Sequence, residues 1–131
     1  MFENSLFKKT FILLFVVGFL NYIASVFYLY WTVWWFNMVM HFLSGGVVTM
    51  TTFLILRFFR KNETFSRLKI IFLAIASVFI VGIAWEIFEL SVGLTSFSDG
   101  IWYVLDTVSD LILDLSGGFL GIFYALRSNH N

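Results

Sequence analysis

The chain contains no cysteine and no proline, and only 12% of its residues are charged. Without cysteine there is no disulfide framework, no thiolate nucleophile and no thiolate-ligated zinc or iron–sulfur centre. Without proline no helix has an obligatory break, and the positions at which one could bend are Gly18, Gly82 and the Gly45–Gly46 pair. The scarcity of charge restricts the reading further. Eight basic and eight acidic side chains among 131 residues cannot cover the surface of a water-soluble domain of this size. They leave a formal net charge of zero and no basic patch, which argues against a nucleic-acid partner. What is abundant is apolar, with 60% hydrophobic residues and a mean hydropathy of +0.93. This is the composition of an integral membrane protein, whose first partners are membrane lipids.

Apolar runs of about 20 residues, the length that crosses a hydrocarbon core of about 30 Å, occur from about Thr10 to Tyr30, Val39 to Phe59, Leu68 to Leu90 and Ile101 to Leu126. The predicted architecture is all-α, a polytopic bundle of four transmembrane helices over about 10–36, 39–60, 68–90 and 101–126, in one domain spanning 1–131. Lys8 and Lys9 precede the first run as in a secretory signal, but the run is too long and lacks a small-x-small cleavage site, so it reads as a retained anchor.

Basic residues favour the cytoplasmic side in short loops. Lys8, Lys9, Arg57, Arg60, Lys61, Arg67, Lys69 and Arg127 all fall on one side of a four-helix arrangement, which predicts a multi-pass protein of the cell membrane with both termini cytoplasmic. Trp31, Trp34, Trp35, Trp85 and Trp102 fall near the opposite, outer interface, where indole rings prefer headgroup depth.

Acidic residues are distributed the other way. Glu3 and Glu63 lie on the basic side, whereas Glu86, Glu89, Asp99, Asp106, Asp110 and Asp114 lie in the outer half or the outer loop. An ionised carboxylate in mid-span costs about 2.5–3.5 kcal/mol on insertion scales, and no Lys or Arg is placed to compensate it. The remaining choices are proton sharing, hydration or a bound cation. Asp106, Asp110 and Asp114 are spaced i, i+4, i+8, a stripe that continues into Gly117, Gly118 and Gly121, small residues that admit a close helix neighbour. Glu86 and Glu89 share a face with Gly82 and Gly93; Asn37, His41, Ser44, Gly45 and Thr52 share another; Asn21, Ser25 and Thr32 share a third. Each polar face is expected to point inward. Asp99 beside Gly100 reads as an outer-loop turn.

The candidate site is therefore His41, Glu86, Glu89, Asp106, Asp110 and Asp114, with Asp114 at its floor. Carboxylate oxygens with one imidazole suit a divalent cation such as Mn, Zn, Fe or Mg, and His41, Glu86, Glu89, Asp106 and Asp110 are the expected ligands. Metal-free, such carboxylates could not all ionise together and would share protons. No motif commits the chain to catalysis. Ser44, three residues after His41, is the nearest candidate nucleophile, and its spacing is a weak signal.

The segments His41-Phe42-Leu43-Ser44-Gly45, Trp85-Glu86-Ile87-Phe88-Glu89 and Asp106-Thr107-Val108-Ser109-Asp110-Leu111 resemble the YjdF-like inner-membrane proteins, a family of unassigned function. The tail Asp110-Leu111-Ile112-Leu113-Asp114-Leu115-Ser116-Gly117, with Gly121 beyond, is similar to VanZ-like membrane proteins, although Asp114 stands where that pattern has Asn. The resemblance covers about His41 to Gly121 and implies a role in the cell envelope. The expected function is an outward-facing His/carboxylate pocket that binds a divalent cation or protons and acts on an envelope lipid or lipid-linked molecule. The rivals are a transport or permeation subunit with an acidic cation path, and a structural membrane partner.

Overall fold

The computed structural model describes residues 2–59 and 65–128, with side chains from Ser5 onward. Arg60, Lys61 and Glu63, which enter the charge reading, lie outside the described residues.

The first helix, α1 (Phe2–Phe27), stops well short of residue 36. Tyr28 takes a left-handed conformation with φ of 55°, which costs a non-glycine residue about 1–2 kcal/mol and ends the helix. A single turn, α2 (Leu29–Thr32), follows; Val33 is extended, and α3 (Phe36–Phe59) then runs back. Contacts that a hydropathy profile does not register hold this corner. Tyr30 donates from its hydroxyl to Asn21 Oδ1 at 2.8 Å and meets Phe36 edge-on with ring centroids 5.3 Å apart.

The third long helix, α4 (Arg67–Val92), begins where Ser66 accepts a hydrogen bond from the Lys69 amide and ends at Gly93, whose φ of 74° suits a left-handed cap. Gly93 is therefore a stop signal rather than part of the Glu86–Glu89 face. A 3-10 turn at Phe97–Asp99, closed by a reciprocal Ser96–Asp99 capping box, leads through Gly100 into α5 (Ile101–Arg127). The helices run unbroken through Gly18, Gly45, Gly46 and Gly82.

Four helices, α1, α3, α4 and α5, are long and apolar enough to cross a membrane. Their outward residues cannot be facing water: Phe15, Ile80 and Phe123 are each more than 60% exposed in mid-helix. The central member is α3, which packs on α1, α4 and, most extensively, on α5. Partners pair in ascending order on these two helices, Asn37 with Asp110, His41 with Asp114 and Gly46 with Gly121, so α3 and α5 run parallel. Their backbones nearly touch. A Cβ on Gly45 would collide with the Asp114 carbonyl, one on Gly117 with the Phe42 carbonyl, and one on Gly121 with Thr49 and the Gly46 backbone. The glycine face of α5 thus meets another helix, as its sequence implies.

Within the spans, 44% of the α3 window and 39% of the α5 window is buried, against 11% for α1 and 22% for α4. Two apolar clusters tie α1 to the pair. Leu6, Met50, Phe53 and Ala125 close the end that carries the basic residues, where Lys9 also donates to the Tyr124 hydroxyl. Ala24, Phe36 and Met40 close the opposite end, which carries the tryptophans. The polar face expected on α1 does not pack inward. Ser25 and Thr32 bond to carbonyls one turn back, at Asn21 and Tyr28, and both are exposed. A hydroxyl satisfied by its own helix needs no partner across the bundle.

Candidate functional site

Close approach of α3 and α5 determines where the His41 ring can go. The ring is 6% exposed and lies between two aspartates one turn apart on α5. His41 Nε2 is 3.2 Å from Asp110 Oδ2, and Nδ1 is 3.1 Å from Asp114 Oδ1. A neutral imidazole has a single N–H, so two such hydrogen bonds require either an imidazolium or a protonated aspartate. Asn37 adds a forked contact, with Nδ2 at 3.2 and 3.4 Å from the two oxygens of Asp110. The sequence places no Lys or Arg at this height, and the aspartates are met instead by the ring of His41, an expected member of the site. Gly82 of α4 gives the Asp114 carboxylate room, since a Cβ there would lie 3.0 Å from Asp114 Oδ2.

Glu86 and Glu89 enter from α4 and are 6% and 8% exposed. Thr107 donates to Glu86 Oε2 at 2.7 Å. Glu86 Oε1 and Glu89 Oε2 are buried without a hydrogen-bond partner among the described residues. Nearly all buried polar atoms are paired, because an unpaired one forfeits its hydration with no return, and an unpaired carboxylate oxygen forfeits the most. One oxygen each from Glu86, Glu89 and Asp110 lies within 4.8 Å of the others.

Five of the six expected residues, His41, Glu86, Glu89, Asp110 and Asp114, therefore meet in one buried group. Asp106 stands apart. It is exposed and lines a depression at the tryptophan end with Asp99, Thr95 and Trp102. The reason lies in the helix repeat: each i, i+4 step turns about 40° beyond a full revolution, so Asp106 and Asp114 point about 80° apart. The close group of candidate ligand oxygens is formed by Glu86, Glu89 and Asp110, and both ring nitrogens of His41 face aspartates. The same engagement removes it as a base for Ser44, whose hydroxyl has no hydrogen bond among the described residues. Asp99 is held in its turn by the Ser96 amide at 3.1 Å.

Thr107 was not among the expected residues. Its signal was available, since it lies one turn before Asp110 and two turns before Asp114 on the same face of the helix. Beside the network, α1 and α4 diverge to leave a cleft of about 300 Å³. Leu14, Val17, Val78 and Val81 form apolar walls, and Asn37, His41, Ser44 and Asp114 form the base.

Neither a curated protein nor a solved structure matches the chain. A family model described as "Predicted membrane protein (DUF2238)" matches residues 2–131. Four helices long and apolar enough to cross a membrane agree with that description, and the chain belongs to the DUF2238 family of membrane proteins.

Proposed function

We propose that Glu86, Glu89 and Asp110 hold a divalent cation within the bundle, and that the centre acts on an envelope lipid or lipid-linked molecule. One observation carries the cation reading: Glu86 Oε1 and Glu89 Oε2 are buried and unpartnered in a group whose ligand atoms lie within 4.8 Å of one another. All-oxygen donors suit Mg or Mn, and carboxylates also suit Zn or Fe. Asp110 links this group to His41 and Asp114, which makes the histidine a positioning residue for one ligand. Proton sharing is the second reading, supported by the His41 ring bridging Asp110 and Asp114.

A cation path is less well supported. Beyond Asp114, the Ser116 hydroxyl bonds back to the Ile112 carbonyl and the glycines that follow are packed against α3. The place in the envelope rests on the resemblance to YjdF-like and VanZ-like proteins and on the one-sided distribution of Lys and Arg. That distribution puts both termini in the cytoplasm and the carboxylates in the outer half of the membrane. A reporter fused after Thr95 would then be on the outside, and a cytoplasmic signal from it would reverse the orientation.

The deciding experiment is metal analysis of the detergent-purified protein, with thermal unfolding on addition of Mn, Zn, Mg or Ca. A cation at about 100 times its Kd should stabilise the protein by about 2.7 kcal/mol. The gain should vanish in Glu89→Gln and fade in acid, because protonation removes the anionic oxygens that the cation needs. No bound metal together with no gain from any of the four would leave proton sharing as the reading.

A further inference from the structure

The cleft between α1 and α4 contains a glycine without a packing role. A Cβ on Gly18 would meet nothing within 4 Å, whereas Gly45, Gly117 and Gly121 each abut a backbone. Glycine inside a helix costs about 0.5–1 kcal/mol relative to alanine, and here no close neighbour accounts for it. What the absent side chain leaves is space at mid-membrane, facing the base formed by His41, Ser44 and Asp114.

The cleft has the dimensions and chemistry of one occupant. From Asn37 to Val48 it runs about 16 Å along α3 at the helical rise of 1.5 Å, close to half of a hydrocarbon core about 30 Å thick. It extends from the tryptophan end to mid-span, so it matches one leaflet. Its side walls are apolar and belong to α1 and α4, the two helices least covered by protein, so the surrounding medium is lipid tails. Its base offers the Ser44 hydroxyl, which has no hydrogen bond among the described residues, beside the His41–Asp114 pair. We propose that this cleft is a lateral entry site in which the acyl chain of a lipid from the leaflet at the tryptophan end lies over Gly18, with its polar end toward Asn37 and His41. This rests on the reading of the centre as acting on a membrane lipid, and it names the route by which that lipid arrives.

The test places wild-type protein in nanodiscs of phosphatidylethanolamine and phosphatidylglycerol that contain a phospholipid with a diazirine in its acyl chain. After illumination, crosslinks are mapped by peptide mass spectrometry. The wild type should be labelled on the α3 segment from Met40 to Val48 as well as at Phe15 and Phe19, which face outward on α1. Gly18→Phe and the smaller Gly18→Leu should lose the α3 labels and keep those at Phe15 and Phe19. Thermal unfolding checks that both variants are folded, and an unfolded Phe variant leaves the Leu variant to decide. Absence of α3 labels in the wild type, or their persistence in a folded Gly18 variant, overturns entry through the cleft. Metal-induced stabilisation is read in the same discs and should be unchanged in both variants. Its absence from the wild type would defeat the cation reading without altering the labelling pattern, so the two failures are told apart.

Discussion

Glycine is used in opposite ways on the two sides of α3. Toward α5, Gly45, Gly117 and Gly121 remove side chains so that two backbones can meet. Toward the cleft, Gly18 removes a side chain and nothing approaches. Helices in lipid gain no hydrophobic energy by associating, because the tails are as apolar as leucine; dense van der Waals contact and interhelical hydrogen bonds hold them instead. The α3–α5 pair has both, with glycine contacts below and the Asn37, His41, Asp110 and Asp114 bonds above. The α1–α4 side has neither. The molecule therefore combines a closely packed pair that positions the polar network with a less buried flank beside the cleft.

This contrast predicts a graded series of substitutions. Gly117→Leu should have the largest effect. Its Cβ would meet the Phe42 carbonyl, which is backbone and cannot swing aside, so the loss in stability should reach or exceed the ~3 kcal/mol upper end of ordinary overpacking. Thermal unfolding in detergent measures it, and unchanged melting would mean that the face is open to lipid.

The next pair separates the two roles of the aspartates. Asp110→Asn, nearly isosteric and uncharged, should abolish cation binding in metal titrations while leaving fold and insertion intact. Asp114→Ala should do the reverse: it leaves His41 Nδ1 without its acceptor and costs about 1–3 kcal/mol, yet keeps the Glu86–Glu89–Asp110 oxygens. Equal loss of metal binding in both would show that the network acts as one unit.

The smallest effect has the opposite sign. Gly18→Ala adds a methyl group to empty space and a better helix former, so it should raise stability by about 0.5–1 kcal/mol. A loss in the same unfolding assay would show that α1 packs more tightly than the cleft suggests.

Much of the candidate site was legible from spacing alone. Glu86 and Glu89 at i, i+3 and Asp110 and Asp114 at i, i+4 had to share helix faces, and uncompensated carboxylates had to turn away from lipid. Asp106 shows the limit of that reasoning. A stripe marked by one polar residue per turn looks straight in sequence but winds around the helix, and only the position of the partner decides which members are covered. The break at Tyr28 shows another. Residues 10–36 are apolar throughout most of their length, and hydropathy does not register a left-handed Tyr28 or the contacts of Tyr30 with Asn21 and Phe36 that hold the corner after it.

The sequence by itself determined that the chain is a four-span helical membrane protein with its basic residues at one end and six of its eight carboxylates toward the other. Those properties follow from the cost of moving backbone and charge into hydrocarbon, which depends on local composition and length. Tertiary structure alone decided that His41 lies between Asp110 and Asp114, that Glu86 and Glu89 keep an unpaired oxygen each, and that Gly18 faces a cleft. Those depend on which helices run parallel and how closely their backbones approach, and such distances are set by packing between segments far apart in the chain.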